Sequence, residues 1–431
     1  MSSPPRRGFL RNRSFRDYLA MNVSSSTAGQ VGNLAVIWYV FAVTHSPIEV
    51  TVVGASQTLA AVVVSLPAGV WVDRHDRRRL LLLANLVRAG SLFLLATMTA
   101  TFGLSLVGVV AIVFAWNGAT ELYRSADYSS LPDLVAPDEV TDANGLTRSS
   151  YMLASSASNF IGGAIVAFVG ATFAFAYGAV GYAVAACFSA FLFLRFRTHG
   201  TTRAADAPRP KMGSQTREGF RWLWTQKGLF QLSLSAAVFN FLASIPGYFI
   251  VVYVSVALKA DALTFGAVLA SYVIGRAVGS LSVGRTNALA YAGRAWVLMY
   301  GVLSGALVMV QGAFPNAEVA VVANLVMGIG TGFAGNVWLT SAQHLVPSEM
   351  RGRYFAIDGL LSFLGGPPAV VAGGLLVAAY GILPVYDVVG ALLLVSGLAF
   401  AAMKELSMLD GRPRQRVSAG AAEGPAAAVG R

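Results

Sequence analysis

The chain has 431 residues, of which 56% are hydrophobic and only 12% are charged, and its formal net charge is +11. A water-soluble domain of this length carries about 25% charged residues because its surface must be solvated, so the composition argues against a soluble protein and indicates lipid as the main solvent. The single cysteine, Cys187, excludes a disulfide framework and a cysteine-based metal site.

The N-terminal segment MSSPPRRGFLRNRSFRDYLAMN contains five arginines before residue 17. The apolar run that follows it lacks a small-residue cleavage site with a hydrophilic mature chain behind it. We therefore expect residues 1–17 to be a retained cytosolic tail and not a secretory signal.

Twelve runs of about 20 predominantly apolar residues follow, each long enough to cross a hydrocarbon layer of about 30 Å as a helix. The runs are too long and too uniformly apolar for barrel strands, and a helix satisfies its own backbone groups in lipid. The predicted spans are 18–43, 49–72, 80–101, 103–126, 146–170, 173–194, 228–257, 262–284, 292–314, 317–342, 355–380 and 383–403.

The connections between these spans alternate in charge. The N-terminal tail, DRHDRRR, LPDLVAPDEVTD, the long segment after span six, GRTNALAYAGR, SEMRGR and the C-terminal tail hold almost all Lys and Arg, whereas the other connections hold Lys259 alone. Positively charged loops stay in the cytosol, so we predict a multi-pass protein of the bacterial cytoplasmic membrane with both termini cytosolic. Nucleic acid is not expected as a partner, because DRHDRRR is a short turn between two spans.

One long polar connection divides the spans into two sets of six. This predicts an N-terminal bundle at 18–196, a cytosolic linker at 197–227, a C-terminal bundle at 228–403 and a C-terminal tail at 404–431. A weak repeat supports the division, since DLVAPDEV and HLVPSEM each follow the fourth span of a half.

Small and helix-breaking residues occupy matching spans of the two halves. Gly29 and Gly32 in span one, and Pro246 and Gly247 in span seven, predict paired interruptions of the kind found in transporters built from repeats. The alternative is that Gly and Pro are simply frequent in membrane helices.

Ionisable residues within a span are costly, so each is a candidate functional group. Glu121, Arg124 and Asp127 in span four are spaced i, i+3 and i+6, which predicts one helical stripe with pairing in sequence. With Arg88 in span three, they are the candidates for proton coupling. The alternative for Glu121 and Asp127 is a structural clamp, and for Arg88 it is a side chain that reaches the cytosolic interface.

Three further ionisable residues lie in the later spans. Arg276 in span eight is expected either to form a packed salt bridge or to face a cavity. Asp358 lies close to the start of span eleven, where an anion favours the helix dipole and a capping or gating role is expected. Asp387 is predicted to be solvated near the outer face.

Polar and aromatic residues on the early helices of each half are predicted to line a substrate cavity, because mixed amide and aromatic linings suit bulky amphipathic compounds. The alternative for each amide is hydrogen bonding between helices. The candidates are Asn22, Gln30, Asn33, Trp38, Tyr39, Gln57, Phe239, Asn240 and Tyr248.

No cofactor or metal is expected. GTGFAG at 330–335 matches a dinucleotide fingerprint, but it lies in an apolar helix without a preceding strand, where close helix packing explains it better. The four histidines are scattered, and no phosphate-binding loop is present, so direct pumping by ATP is unsupported. No constellation with catalytic spacing occurs, and an enzyme is therefore not expected.

The segment GVWVDRHDRR resembles the signature loop G-x-x-x-D-R-x-G-R-R of the major facilitator superfamily. Gly69, Asp73, Arg74, Arg77 and Arg78 match, and Asp replaces the second Gly at position 76. NRSFRDYLAMN, SLPDLVAPDEVTDANGL and VPSEMRGRYFA resemble the branch that contains macrolide efflux proteins and enterobactin-type siderophore exporters. The resemblance covers residues from about 10 to 403.

This resemblance implies an all-α integral membrane protein, in which twelve transmembrane helices form two pseudo-symmetric six-helix bundles that rock about a central cavity. Asp73 would then face the start of helix eleven, where Asp358 lies, and the loop arginines would pair with Glu121 and Asp127. Together with the matching loop residues, Asp358 is assigned to the gate.

Two departures weaken the case for proton antiport. Ala28 and Gly29 stand where many relatives carry Gly-Asp in helix one, and Ser158 and Asn159 stand where the antiporter pattern of helix five has Gly and Pro.

The expected function is export of small amphipathic drugs or natural products by alternating access with proton antiport. The chain is expected to act as a monomer whose partners are the substrate, protons and the lipid bilayer. The alternatives are a dedicated siderophore exporter, a lipid transporter or importer and, from another class, a membrane sensor or scaffold.

Overall fold

The computed structural model describes residues 8–101, 105–131, 134–136, 139–195, 220–286, 291–347, 350, 354, 357–362 and 365–404. Within these ranges it does not describe the side chains at positions 10, 66, 69, 70, 73, 74, 129, 141, 195, 285 and 344. Most of the predicted linker at 197–227 and nearly all of the tail at 404–431 lie outside the described residues.

Twelve helices are long and apolar enough to cross a membrane, which confirms the predicted number of spans. A short 3-10 turn at Gly8–Arg11 precedes them, and the first helix begins at Arg13, inside the predicted tail 1–17. In chain order the helices are α1 Arg13–Thr44, α2 Pro47–Arg74, α3 Arg77–Thr101, α4 Leu106–Ser130, α5 Val140–Phe168, α6 Ala171–Arg195, α7 Lys227–Ala257, α8 Ala262–Ser282, α9 Ala292–Ala313, α10 Ala317–Leu345, α11 Gly366–Tyr380 and α12 Ile382–Ala401.

Side-chain caps explain where several of these helices begin. An Asn, Ser or Asp oxygen accepts a hydrogen bond from a backbone N–H of the first turn, which otherwise has no partner. Asn12 caps α1, accepting from Ser14 at 2.9 Å, and Asp261 caps α8, accepting from Thr264 at 3.0 Å. Ser46, Ser105 and Asn316 cap α2, α4 and α10 in the same way.

The predicted paired interruptions are only half correct. In the second half, α7 contains Pro246 and ends in a π-helical turn at Tyr253–Ala257, and α9 carries a second π-helical turn at Val297–Val302. In the first half, α1 is continuous, so Gly29 and Gly32 do not break it. They permit close packing instead, because a Cβ at Gly32 would lie only 2.9 Å from Leu92.

Most helix packing occurs within each half of the chain. In the first half, α1 packs on α5 and α6, and α3 packs on α4 and α6; in the second, α8 packs on α10 and α9 on α12. Two seams join the halves, α5 against α8 and α2 against α11. We call the face where α1 begins and α12 ends the terminal face, and the other the opposite face.

Both seams are closed near the opposite face. A Cβ at Gly163 of α5 would lie 2.9 Å from the Cα of Gly266 of α8, so the two backbones are in contact. In the other seam, a Cβ at Gly374 of α11 would overlap the hydroxyl of Thr51 of α2. Only a residue without a side chain fits at such positions, and the two halves are therefore in direct contact at this face.

Candidate functional site

A buried arginine forms the centre of a polar network inside the first bundle. The side chain of Arg88 on α3 is only 2% exposed, and its guanidinium carbon lies 4.0 Å from the ring centroid of Tyr123 and 4.5 Å from that of Tyr182. One guanidinium nitrogen donates to the Oδ1 of Asn85, and Nε has no hydrogen-bond partner among the described residues. The aromatic faces lower the cost of burying the cation.

Asp127 on α4 belongs to the same network. Its Oδ1 accepts a hydrogen bond from the Nδ2 of Asn22 at 3.0 Å, and its carboxylate lies close to the Tyr18 hydroxyl and interacts electrostatically with Arg88. The hydroxyl of Tyr123 donates to the Oδ1 of Asn22 at 3.1 Å, which links Asp127 to the ring below Arg88. Helices α1, α3 and α4 thus bring one partly buried acid and one buried base to a single cluster.

The predicted stripe on α4 is divided in two. Glu121 is buried, with 8% of its surface exposed, and forms an ion pair with Arg124, whose side chain is 46% exposed. Among the described residues Arg124 does not pair with Asp127, contrary to the prediction, because the Asp127 carboxylate is bound by residues of α1. Sequence spacing placed the three residues on one helix face but could not show that a side chain of α1 binds Asp127.

The turn between α2 and α3 contains the residue that departs from the family pattern. Asp76 Oδ1 accepts from the backbone N–H of Arg78 at 3.0 Å, so Asp76 caps α3, and its Oδ2 lies 2.6 Å from the Arg78 guanidinium. The side-chain hydrogen bond from Arg78 holds the pKa of Asp76 below its ordinary value of 3.8. Arg78 therefore pairs with Asp76 in the turn, and the predicted pairing of Arg78 with an acid of α4 is wrong.

The remaining gate residues divide into described and undescribed ones. Arg77 begins α3, and Gly69, Asp73 and Arg74 lie on α2, but the side chains of Asp73 and Arg74 and the surroundings of Gly69 lie outside the described part. Asp358 is 4% exposed, and its Oδ1 lacks a partner within the described ranges.

Asp358 lies in a polar pocket of the second bundle. Its carboxyl lies close to the Ser233 hydroxyl, which donates to the hydroxyl of Tyr354 at 3.3 Å. Asp358 lies near the start of the eleventh candidate span, Ile357–Tyr380, ahead of the helix α11 that begins at Gly366, and its side chain is buried.

Six of the predicted cavity residues take part in contacts between helices. Gln57 Nε2 donates to Asn33 Oδ1 at 3.0 Å, and Gln30 lies close to the hydroxyl of Tyr151. Trp38 stacks on Phe265 of the other half at 5.7 Å between ring centroids. Asn240 accepts from the Tyr300 hydroxyl at 2.5 Å, and a Cβ at Gly54 would lie 3.3 Å from the ring of Tyr248.

Phe239 does not line a cavity. It is fully buried within the second bundle, where its ring packs against Trp296, Tyr300 and Phe400. Asn22, which was predicted to line the cavity from the first half, is a member of the Asp127 network and not a free cavity amide.

Sequence reasoning missed the tyrosines that complete these clusters. Tyr18 and Asn22 are spaced i, i+4 on α1, and Tyr123 and Asp127 have the same spacing on α4. Two matched polar pairs on separate helices were the available signal, because residues at this spacing share a helix face.

Within the described ranges no group of three or more His, Cys, Asp and Glu could hold a metal ion.

A family model described as a transmembrane secretion effector, MFS_3, matches residues 7–422. The chain belongs to this family. It is thus a multi-pass membrane transporter of the major facilitator type and not an enzyme.

Two relatives match almost the whole chain. Macrolide efflux protein A of Streptococcus pyogenes is 21% identical over 381 residues, covering 88% of this chain and 92% of that protein. The multidrug efflux pump Tap of Mycolicibacterium fortuitum is 24% identical over 404 residues, covering 89% and 95%.

Solved structures share the fold. A bacterial homologue of the iron transporter ferroportin, in an inward-facing state, aligns with a TM-score of 0.72 at 16% identity, covering 92% of this chain and 99% of that one. A bacterial homologue of the human lysosomal transporter Spinster aligns with a TM-score of 0.66 at 13% identity, covering 95% and 99%. The likeness confirms an all-helical major facilitator fold with two six-helix bundles.

Proposed function

We propose that this transporter exports small amphipathic compounds across the cytoplasmic membrane by alternating access, driven by proton antiport. Both termini face the cytosol, in keeping with the basic connections at the terminal face. The direction is supported by the two efflux relatives, which match this chain over most of its length. Both six-helix bundles belong to one chain, which supports a monomer as the active unit.

Asp127 and Arg88 carry the proposal. Ionisable residues inside a span are expensive unless they have a function; here Arg88 is buried in α3, and Asp127 is partly buried in the last turn of α4. When Asp127 is ionised, it offsets the charge of Arg88; when it is protonated, the cation loses that compensation. Binding and release of one proton therefore change the electrostatic balance among α1, α3 and α4.

The glycine contacts of the two seams support alternating access. The Gly163–Gly266 and Thr51–Gly374 contacts close the opposite face without any covalent link or ion pair at those positions. Backbone contacts of this kind separate as rigid surfaces when one bundle rocks against the other. A change in the charge balance of the first bundle can shift the equilibrium between the two relative positions of the bundles, if it stabilises one position more than the other.

Flux into proteoliposomes under an imposed pH gradient tests the proposal. A radiolabelled macrolide should accumulate against its gradient when protons flow the other way, and a protonophore should abolish accumulation. Asp127→Asn should remove gradient-driven accumulation and leave macrolide exchange without a gradient. Asp387→Asn is the matched control, because Asp387 is an exposed acid in α12 outside the network.

Two results would count against the proposal. Gradient-driven accumulation by Asp127→Asn at the wild-type rate would place the proton elsewhere. Macrolide movement that is insensitive to the pH gradient in the wild-type protein would exclude antiport with this class of compound.

A further inference from the structure

Arg276 on α8 is a charged residue that neither the network nor the gate uses. It lies six residues before the end of the helix at Ser282, about 9 Å inside the span at 1.5 Å per residue. Its side chain is exposed. The ion pairs among the described residues join Arg78 to Asp76 and Arg124 to Glu121, and no carboxylate lies within salt-bridge distance of Arg276.

One tyrosine ring contacts this cation, and two further tyrosines lie within its electrostatic reach. The guanidinium carbon of Arg276 lies 5.9 Å from the ring centroid of Tyr272 on α8, and its charge acts on Tyr300 of α9 and Tyr151 of α5. Helices α5 and α8 touch at the opposite face, and Ser156 still donates to the Ala270 carbonyl at 3.3 Å. Beyond that point, towards the terminal face, Tyr151 is 48% exposed.

Amides of α1 and α7 lie beside two of these tyrosines. The hydroxyl of Tyr300 donates to the Oδ1 of Asn240 on α7, and Gln30 of α1 lies close to the hydroxyl of Tyr151. Tyr300 lies in the π-helical turn of α9, and such turns are frequent where a helix must present a side chain for function. Arg276 therefore lies beside a wall contributed by α1, α5, α7 and α9.

The charges near this wall do not cancel. Glu121 pairs with Arg124, and Arg88 acts electrostatically on Asp127, whereas no acid among the described residues forms an ion pair with Arg276. A guanidinium within a span that lacks a carboxylate needs an anion or water to offset its charge, and its planar fork binds the oxygens of a carboxylate, sulfonate or phosphate in pairs.

We propose that Arg276, with Tyr151 and Tyr300, binds an acidic group of the transported compound, so that the cavity selects amphipathic anions. This rests on the proposed export function, whose cargo it narrows to one chemical class. The tyrosine rings and the apolar wall contact the body of the molecule, and the guanidinium sets its orientation.

Equilibrium binding of two matched dyes tests the inference. The dyes 1-anilinonaphthalene-8-sulfonate and N-phenyl-1-naphthylamine share one aromatic body and differ by a sulfonate. With full-length protein in nanodiscs at pH 7.5, and empty nanodiscs subtracted, the sulfonate should bind the wild type more tightly than the neutral dye. Arg276→Gln should weaken sulfonate binding about tenfold and change neutral-dye binding less than about twofold, because a charge-assisted hydrogen bond is lost.

Two variants serve as controls. Arg276→Lys keeps the charge but loses the planar guanidinium, so its affinity for the sulfonate should lie between those of the wild type and Arg276→Gln. Lys259→Asn removes an exposed positive charge in the α7–α8 connection, and should leave both affinities unchanged; Asn tolerates the left-handed backbone at this position, where φ is 50°.

The inference is overturned if Arg276→Gln leaves sulfonate binding intact, if it weakens both dyes equally, as a packing role would, or if the wild type does not prefer the sulfonate. The assay uses no gradient. Selective binding of the sulfonate without proton-driven flux would therefore contradict the export proposal alone. Equal binding of the two dyes together with proton-driven flux would contradict this inference alone.

Discussion

Asp76 Oδ2 lies 2.6 Å from a guanidinium nitrogen of Arg78, and Asp76 Oδ1 accepts the backbone N–H of the same residue. One carboxylate thus caps α3 and holds an arginine of the signature turn, at the position where the family pattern has Gly. The departure from the pattern has a local physical reason, because a Gly there would leave both the N–H and the guanidinium without this partner.

Two substitutions at this position separate the cap from the ion pair. Asp76→Ala removes both and should lower stability by about 1 kcal/mol, the usual cost of a lost N-cap. Asp76→Asn keeps a capping oxygen and should cost less than about 0.5 kcal/mol, since a partly exposed pair contributes little. Unfolding of purified protein in mixed micelles, followed by circular dichroism, measures both; equal losses would mean that the charge matters more than the cap.

The Asp76 carboxyl should not titrate in the physiological range. Its pKa lies below the ordinary 3.8, so its contribution to stability is full above that value and is lost only as the pH falls through the lower folded value. Transport by Asp76→Asn should therefore depend on pH between 5 and 8 as transport by the wild type does. A displaced midpoint in this variant would make Asp76 part of the proton pathway.

The ring of Tyr123 should matter more than its hydroxyl. Tyr123→Phe loses the hydrogen bond to Asn22 and should cost about 1 kcal/mol. Tyr123→Leu also removes one aromatic face from Arg88 and should cost about 2 kcal/mol more, because the cation is desolvated. Unfolding in mixed micelles gives the difference, with Tyr380→Leu as the control, since Tyr380 is 70% exposed. Equal losses for Phe and Leu would show that the ring does not hold Arg88.

The Glu121–Arg124 pair provides a test of which acid couples transport to protons. We predict that Glu121→Gln reduces gradient-driven flux, since it leaves Arg124 as a second uncompensated cation near the cavity. Restoration of flux in the double variant Glu121→Gln, Arg124→Gln would assign the effect to this charge balance. Continued loss in the double variant would assign a direct proton-carrying role to Glu121, and undiminished flux in the single variant would leave Asp127 as the coupling acid.

The glycine seam between α5 and α8 should set the balance between the two arrangements of the bundles. Gly163→Ala would place a methyl group 2.6 Å from the Ala262 carbonyl oxygen, so the backbones must separate. We expect this variant to favour the arrangement that is open at the opposite face. Gly145→Ala on the same helix is the control, because nothing lies within 4 Å of its Cβ position.

Spin labels on the α1–α2 and α7–α8 connections, in a background with Cys187 replaced by Ser, would measure the distance across the opposite face. The mean distance should increase in Gly163→Ala and stay at the wild-type value in Gly145→Ala. An unchanged distance in Gly163→Ala would show that the seam tolerates a methyl group.

Much of the architecture could be predicted because each span is a local property. An apolar run of about 20 residues is a membrane helix wherever its neighbours lie, and most predicted boundaries fall within a few residues of the observed ones. At Arg13 and Val140 the helices begin earlier than predicted, because polar first turns extend them beyond their apolar cores. A hydropathy scan does not detect such turns, because their side chains are polar and water forms the hydrogen bonds that their backbone groups need.

Partnerships between side chains were not predictable to the same degree. Asp127 was predicted as a candidate for proton coupling, but its hydrogen-bond partner Asn22 lies more than 100 positions earlier in the chain. Phe239 was expected in a cavity and is buried, because the rotation of α7 turns its ring towards α9 and α12. Helix rotation depends on how neighbouring surfaces fit, which one helix does not encode.

The sequence by itself determined twelve membrane helices in two sets of six and the residues worth testing, because hydropathy and charge cost act on each segment independently. The tertiary structure decided which side chains meet: Arg88 with Tyr123 and Tyr182, Asp127 with Asn22, and Trp38 with Phe265 of the other half. These contacts depend on close packing between helices that are distant in the chain, and packing is a property of the assembled surfaces.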